Sequence, residues 1–237
     1  MKKQLFIAVL FAFSWGMLLS CSSDEKEEEK EEHGENGTEL PEIITEPLVQ
    51  EGKTWLMDYE LVVPGRPHTF IETLLKGDTV INGIHYMKSY RRTWREDEEM
   101  PQDWTAIKHY YAQDGGKVYM YDGYMDYTFP IVDFSLEVGD IFTYTDPYIE
   151  EGYDLIGEGY KLRVTAVSDT ILDKASEQVR RKCLYLESVN DPTEKHVWVD
   201  GIGSVEFGII GIEYTYDGAR KHMMKCSESD RVLYQYE

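Results

Sequence analysis

The sequence predicts an all-β fold, namely an antiparallel, hairpin-rich sandwich, roll or open barrel with little helix. Turn signals built from Gly, Pro, Asn and Asp recur roughly every 8 to 15 residues. The segments between them are rich in aromatic and β-branched residues, and several alternate between apolar and polar positions. After residue 46, no window carries an apolar stripe of helical period longer than two turns. These observations do not choose among the three architectures.

The chain begins with a secretory leader. Lys2 and Lys3 precede an apolar stretch over residues 5–19 that is too short to span a bilayer comfortably. The stretch ends in the letters LLSC, which resemble a bacterial lipobox. Residues 1–20 are therefore predicted to be a lipoprotein signal peptide, and Cys21 the lipidated first residue of the mature chain. The alternatives are an ordinary signal peptide with a chance cysteine, or an N-terminal membrane anchor.

An acidic segment follows the cysteine. Residues 21–46 contain the run DEKEEEKEEHGEN and almost no apolar residue before Leu40. Because like charges repel one another and no core can form there, we expect a disordered tether. It is either a solvated spacer or a surface-export signal, since it is similar to the acidic segments that follow the lipid cysteine in Bacteroidetes-type lipoproteins. The second alternative places the protein on the outer membrane, lipid-anchored and surface-exposed.

Charge and length constrain the rest of the chain. The formal net charge is −21, and about −14 of it falls after residue 46. An acidic folded region disfavours nucleic acid and anionic membrane surfaces as partners. Residues 47–237 are long enough for one sizeable core and contain no linker-like stretch, so we expect a single all-β domain.

The first half of this domain contains the clearest hairpin signals. Its candidate strands are 52–55, 61–63, 68–75, 78–81, 84–90, 106–112 and 117–121. Asn82 and Gly83 separate two of them and form the strongest two-residue hairpin signal. Residues 113–116 (QDGG) predict a second hairpin. The Pro-Gly pair at 64–65 ends an earlier strand, and residues 96–102 predict a charged, proline-containing loop.

The second half of the domain continues this pattern. Its candidate strands are 130–134, 141–145, 160–171, 179–187, 195–199, 223–226 and 232–236. Residues 160–171 alternate in polarity and are predicted to pair with 179–187 across a polar turn. In KHVWVDGIGSVEFG (195–208), an alternating run enters a glycine-rich turn, which is typical of a late strand that closes an antiparallel sheet. The SESD turn at 227–230 predicts a final hairpin.

Several segments of the domain carry a family resemblance. They are VQEGKTW at 49–55, GDTVINGIHYMKSY at 77–90, VDFSLEVGD at 132–140, WVDGIGSVEFG at 198–208 and the closing KCSESDRVLYQY at 225–236. In this order they resemble a group of secreted and lipid-anchored Bacteroidetes β-proteins, and together they cover most of the folded part. The resemblance implies a fold and a compartment. It brings no catalytic residues to this chain.

The sequence carries none of the common catalytic motifs. The glycines at 201, 203 and 208 lack dinucleotide-binding spacing, and Ser204 lacks the flanking glycines of a nucleophile elbow. The six histidines are scattered singly, with no metal-ligand spacing to one another or to cysteine. Carboxylates are too numerous for one pair to stand out as a glycosidase dyad. We therefore predict a non-enzymatic protein without cofactor or metal. The alternative for metal is calcium bound by loop carboxylates, either Asp114, Asp122 and Asp126 or Glu150, Glu151 and Asp154, although neither set matches an EF-hand loop.

The aromatic residues are the main functional lead. Tyrosine occurs 18 times, and tyrosines and tryptophans crowd the middle of the chain. Because aromatic faces on a sheet suit sugar stacking or protein capture, Trp94, Trp104, Tyr119 and Tyr121 are the candidate ligand-binding residues. Alternation over 117–121 places the two tyrosines on the more polar face of that strand. The alternative is that these aromatics fill a β core.

Two predictions concern covalent chemistry. Thr79 and Thr170 each lie in an Asp-Thr-apolar triplet that resembles the O-glycosylation acceptor sites of Bacteroidetes proteins. The alternative is that Asp-Thr is a common way to enter a strand from a turn.

Cys183 and Cys226 are predicted to be free thiols, because a core of this size needs no disulfide to stabilise it. The alternative is a disulfide between them.

Three functions are compatible with these features. The main hypothesis is a cell-envelope lipoprotein, held at the membrane through Cys21, that binds a glycan or an envelope protein, or assists a partner, without catalysis. The second is a glycan-active hydrolase whose site is assembled in space and has no sequence motif. The third is a structural envelope component that meets its partner by strand addition at an exposed sheet edge.

Overall fold

The computed structural model describes residues 43–61, 65–145, 159–171, 179–211 and 219–236. The predicted signal peptide, the lipidation site at Cys21 and the tether before residue 43 lie outside these residues. None of the described residues is helical. Among them there is accordingly no helix with the length and apolar character that crossing a bilayer requires. The described chain consists of strands and turns, which confirms the predicted all-β class.

Strands account for most of the described residues. In chain order they are β1 (Lys53–Leu61), β2 (Thr69–Ile81), β3 (Ile84–Arg95), β4 (Thr105–Asp114), β5 (Lys117–Asp122), β6 (Tyr127–Asp133), β7 (Ile141–Tyr144), β8 (Tyr160–Ile171), β9 (Arg180–Ser188), β10 (Lys195–Val199), β11 (Gly203–Ser204), β12 (Ala219–Glu228) and β13 (Arg231–Gln235). The predicted strands from residue 68 onward each have a counterpart here. Of the short strand predicted at 61–63, Leu61 is the last residue of β1, and residues 62–63 lie outside the described part.

The strands form two curled antiparallel sheets. Among the described residues, the larger sheet has the order β13-β12-β1-β2-β3-β4-β5-β6, and the smaller has the order β11-β10-β9-β8-β7. Strands adjacent in the chain pair as hairpins within each sheet, and the late strand β12 returns to pair with β1. Side chains from both sheets share one core, an arrangement of the sandwich and open-barrel type. Residues Leu40–Glu237 form one compact unit.

The turn at Asn82 and Gly83 joins β2 and β3, as predicted. Both residues have positive φ, at 52° and 81°, which is the backbone that a two-residue turn between twisted strands requires. The strand after this turn is longer than the sequence predicted. It continues to Arg95 because β2 also continues and supplies partners, with Phe70 opposite Trp94.

Two buried tryptophans connect the sheets through the core. Trp55 of β1 donates its indole N–H to the carbonyl of Ile202 at 2.7 Å, and Trp198 of β10 donates to the carbonyl of Gly211 at 3.0 Å. The Phe142 ring packs edge-on against Trp198 with a centroid distance of 5.0 Å. Because each buried indole N–H has an acceptor, these large side chains stabilise the core without an unsatisfied donor.

The start of the described chain is tied to the domain. Ile43 forms a β-bridge with Arg180. The Glu46 carboxylate lies between two guanidinium groups, 2.7 Å from Arg181 and 2.6 Å from Arg231. The folded domain therefore includes residues 43–46, which the sequence analysis assigned to the tether.

Cys183 and Cys226 are free and buried, which confirms that prediction. They lie in different sheets, Cys183 in β9 and Cys226 in β12. Burial raises the pKa of the Cys226 thiol to about 12, and the nearby Lys53 ammonium offsets only part of this effect. Lys53 is itself fully buried and donates to the carbonyls of Pro47 and Gly201 at 2.5 and 2.9 Å. Burial lowers the pKa of Lys53.

Candidate functional site

A partly enclosed cavity of ≈ 70 Å³ lies against the inner face of the larger sheet. Its floor comes from β1 to β4 and β12, and the chain that follows β11 covers it. Its lining is mostly aromatic and aliphatic, with one threonine and two cations: Trp55, Met57, Tyr59, Ile71, Thr73, Arg91, Tyr111, Phe207, Ile209, Ile210 and Lys221. Apolar walls with a few converging polar groups are typical of a small-molecule site.

Strand register places the floor residues side by side. Trp55 of β1 lies opposite Thr73 of β2, and Thr73 lies opposite Arg91 of β3. Side chains two residues apart on a strand share a face, so the next pair along β1 and β2, Met57 and Ile71, faces the cavity as well. The row across three strands therefore places the Arg91 guanidinium beside Trp55 and Thr73 on the floor of the cavity.

Glycines let the cover of the cavity approach this floor. The predicted glycine turn contains Gly203 and Gly208, with φ of 99° and 67°, and is closed by backbone hydrogen bonds between Ser204 and Gly208. A Cβ on Gly208 would lie 3.0 Å from the Met57 sulfur and 3.3 Å from the Trp55 ring. Only glycine combines this backbone conformation with so close an approach. The late glycine-rich segment thus forms the roof of the cavity.

Arg91 has a buried polar atom without a partner. Its Nε is shielded from solvent and has no hydrogen-bond acceptor among the described residues. The next residue, Arg92, faces the opposite side of the sheet and is fully engaged. It contacts the Glu72 carboxylate at 2.6 Å and donates to the carbonyl of Pro101 at 3.1 Å. An unmet buried donor costs on the order of 1–3 kcal/mol. Of these two arginines, Arg91 is therefore the one whose guanidinium still lacks a partner that a ligand could supply.

The cavity lining is basic although the protein is acidic. Lys221 of β12 is the second cation, and its ammonium lies 5.1 Å from the centroid of the Tyr59 ring, within the range of a cation–π interaction. No Asp or Glu belongs to the described residues that line the cavity. In a chain of net charge −21, the positive charge that Arg91 brings to this lining favours an anionic ligand group.

The two candidate tryptophans come together on the outer face of the larger sheet. Trp94 of β3 and Trp104, which follows the charged loop at 96–102, both lie against the guanidinium of Arg92. The guanidinium carbon is 5.9 and 4.5 Å from their ring centroids. Trp94 also packs against Phe70, with centroids 5.6 Å apart. Both tryptophans are half-buried, so this cluster is largely packed against itself and offers little free ring surface.

The two candidate tyrosines lie at another place on that face. Tyr119 and Tyr121 of β5 are half-buried, whereas Val118 and Met120 on the opposite side of the strand are buried, as alternation predicted. The Tyr121 hydroxyl donates to Asp126 at 2.8 Å. The stretch of β3 between the tryptophan cluster and the position opposite these tyrosines is about 20 Å long. The four candidates therefore form two patches and not one platform.

The candidate modification sites lie apart from the cavity. Thr79 is half-buried in β2, opposite Tyr86 of β3. The backbone of Thr170 lies in β8, opposite Arg181 of β9. Thr79 is not among the described residues that line the cavity. The lipidation site at Cys21 lies outside the described residues.

Histidine–carboxylate pairs are a feature that inspection of the sequence missed. His68 Nδ1 and His222 Nε2 lie 2.8 and 3.7 Å from Oδ2 of the buried Asp58. The hydrogen bond to Asp58 raises the pKa of His68. His196 Nδ1 lies 2.6 Å from Glu206. These contacts join separate strands and turns, so no spacing in the sequence reveals them. Throughout the described ranges, no three His, Cys, Asp or Glu side chains are arranged to hold a metal ion.

A larger and more open cleft of ≈ 400 Å³ lies between the ends of β3 and β4. Asp78, His85 and Gln113 are among the polar residues that line it. The Gln113 amide is already used, since its oxygen accepts hydrogen bonds from the backbone N–H groups of Leu48 and Val49 at 2.8 and 3.0 Å. No described residue of this cleft has a buried polar atom without a partner. The smaller cavity is therefore the stronger candidate.

Fold and site define the class as a two-sheet antiparallel β domain with a basic, apolar-walled cavity beneath a glycine turn. Comparison of the chain with protein-family models, with curated proteins and with solved structures finds no match. The functional assignment is therefore argued from the chemistry of the residues themselves.

Proposed function

We propose that this protein is a lipid-anchored envelope protein whose β domain binds a small ligand in the Arg91 cavity without catalysis. The observation that carries the proposal is Arg91, which lines the cavity and whose guanidinium has no hydrogen-bond acceptor or ion-pair partner among the described residues, its Nε being shielded from solvent as well. Native proteins pair buried polar groups, and exceptions are characteristic of functional sites. The terminal nitrogens of Arg91 are not among the shielded atoms, so a ligand in the cavity that accepts hydrogen bonds from them gives the guanidinium the partner that it lacks in the free protein.

The N-terminal sequence supports the location. The leader and the LLSC letters favour lipidation of Cys21 and attachment to the outer membrane. The acidic run over residues 24–32 favours a tether that stands away from anionic lipid and exposes the domain at the cell surface. A surface location suits the capture of a small ligand from the surroundings.

A glycan hydrolase receives less support from the described residues. The buried His196 has a carboxylate at Glu206 to orient it, as a general base requires, and the Tyr160 hydroxyl lies 3.4 Å from its other nitrogen. However, His196 is only 3% exposed. The neighbouring Ser204 is fully buried, and its hydroxyl accepts hydrogen bonds from the N–H groups of Glu206 and Phe207. A substrate bond cannot reach these groups without a large rearrangement.

Strand addition also receives less support. The edge strand β6 of the larger sheet contains Pro130, which lacks the N–H that an added strand would need. The opposite edge, β13, has five residues, and the edge strands of the smaller sheet, β7 and β11, have four and two. Short or proline-containing edges are poor templates for pairing with another chain.

The test is to block the cavity sterically. The mature chain carrying Cys21→Ala would be screened by NMR against small acids, amines, alcohols and sugars. We expect acids to shift the methyl signals of Ile71, Ile209 and Ile210, which line the cavity. Ile71→Trp should abolish those shifts by filling the cavity. Val80→Trp, at a position that is 56% exposed, is the matched control and should leave binding intact. If no probe shifts the cavity signals, the proposed function is wrong.

A further inference from the structure

We infer that the ligand of the cavity is a short carboxylic acid, with its carboxylate on Arg91 and its apolar body against the aliphatic walls. This inference rests on the proposed function, because it names the ligand class of the same cavity. Three observations carry it: the state of the Arg91 guanidinium, the charge of the lining and the size and polarity of the walls.

The guanidinium of Arg91 requires an acceptor. A comparison is the buried Arg181, whose Nε also lacks a partner. Its terminal nitrogens, however, bind the Glu46 carboxylate at 2.7 Å and the Asp200 carbonyl at 3.2 Å. Arg91 has no such contacts among the described residues. Because a guanidinium presents paired N–H donors in one plane, it matches the two oxygens of a carboxylate better than a single hydroxyl or carbonyl.

The charge of the lining selects an anion. Arg91 places a positive charge in the lining, and no Asp or Glu is among the described residues that line the cavity. An amine would be repelled, and an alcohol would leave the guanidinium charge uncompensated. Lys221 already lies over the Tyr59 ring, so Arg91 is the cation that binds the charged group of the ligand. A guanidinium binds one carboxylate through two parallel N–H donors. The acidic protein surface has little effect here, because salt screens charges beyond about 8 Å.

The walls select a short apolar body. Apart from the two cations and the Trp55 N–H, which is already used, only Tyr59, Thr73 and Tyr111 carry a group that can replace the water around the several hydroxyls of a sugar. A sugar acid would therefore lose more solvation than it regains. The volume of ≈ 70 Å³ accommodates a group of only a few heavy atoms. A carboxylate with a short aliphatic body meets both limits.

The test uses matched probes on the mature chain carrying Cys21→Ala. Propionate and butyrate are compared with propanol, butanol, propyl phosphate and glucuronate, and dissociation constants are measured by NMR titration. We expect the two acids to bind more tightly than their alcohols and than the other probes. Arg91→Gln should weaken acid binding by about 10- to 100-fold, because a charge-assisted hydrogen bond is lost. Arg91→Lys keeps the positive charge but loses the paired N–H donors. Its affinity for the acids should therefore lie between those of the wild type and Arg91→Gln.

Arg95→Gln is the control for charge alone, since Arg95 lies on the same strand but is exposed and pairs with Glu98. It should leave acid binding unchanged. Unchanged alcohol binding by Arg91→Gln would show that this variant still folds around an intact cavity. Equal affinity for acids and alcohols, tighter binding of propyl phosphate or glucuronate, or full acid affinity in Arg91→Gln would each overturn the inference while the proposed function stands. Failure of every probe to bind would overturn both.

Discussion

Arg181 and Glu46 lie 135 residues apart in the chain, yet their side chains form an ion pair with 2.7 Å between Nη2 and Oε2. The Arg181 side chain is 1% exposed and that of Glu46 is 18% exposed. Burial alone would raise the pKa of Glu46, but hydrogen bonds from Arg181 and Arg231 outweigh it and hold the pKa below its usual value. This clamp ties the beginning of the domain to one strand of each sheet.

Glu46→Gln should lower the free energy of unfolding by about 3 kcal/mol, because it leaves Arg181 buried without its counter-charge. The wild-type contribution should be fully present above the unfolded pKa of about 4.5 and be lost as pH falls through the lower folded value. Denaturant unfolding at pH 7 and pH 4 measures both effects. Glu98→Gln, in an exposed pair with Arg95, is the control and should change little. Equal effects of the two substitutions would contradict a role for burial.

His68 should make stability depend on pH near neutrality. The hydrogen bond that His68 donates to Asp58, and then the charge of Asp58, raise the pKa of His68 above 6.5. A raised folded pKa means that the stabilisation is fully present below pH 6.5 and is lost as pH rises through the folded value. His68→Gln should remove this part of the pH dependence, whereas substitution of the exposed His85 by Gln should retain it. A His68 imidazole that titrates below pH 6.5 by NMR would contradict this prediction.

Gly208→Ala should destabilise the domain more than Gly77→Ala. Both glycines have nearly the same φ, 67° and 68°, so both substitutions carry the cost of about 1–2 kcal/mol for a left-handed residue. The new methyl group at 208 also meets Met57 and Trp55, whereas nothing lies within 4 Å at 77. We expect overpacking to add about 1–3 kcal/mol at 208. Equal unfolding free energies for the two variants would show that the roof of the cavity can move away.

Cys183 and Cys226 should react with a thiol reagent only after denaturation and without prior reduction. Both are buried and free, and burial raises the pKa of Cys226 to about 12, so its thiolate is scarce at pH 8. Mass spectrometry of the Cys21→Ala variant, labelled before and after denaturation, counts these thiols. Labelling that needs a reductant would indicate a disulfide and contradict the prediction.

Cys21→Ala should release the protein from membranes, because it removes the predicted lipid attachment. Replacing the charged residues from Asp24 to Glu32 with Ser should leave the protein membrane-bound but protected from protease added to intact cells. Cell fractionation and protease shaving measure the two properties separately. If the neutralised variant is cleaved as readily as the wild type, the acidic run is only a spacer and the surface location loses its support.

The sequence by itself determined the all-β class, most strands and the face of the sheet on which Tyr119 and Tyr121 lie. Such features are local: a two-residue turn such as Asn82-Gly83 needs positive φ that Gly and Asn tolerate, and alternation separates the two faces of a strand. The free cysteines also followed from a simple argument about core size.

The tertiary structure decided which distant residues each strand face contacts. Arg91 and Arg92 are adjacent and chemically identical, yet one lines the cavity without an acceptor and the other is held by Glu72 and stacked on Trp104. The difference comes from the register of β3 with β2 and from the segment that covers the cavity, which lies more than a hundred residues later in the chain. The sequence marks neither contact, because burial and charge pairing depend on which distant residues the fold brings together.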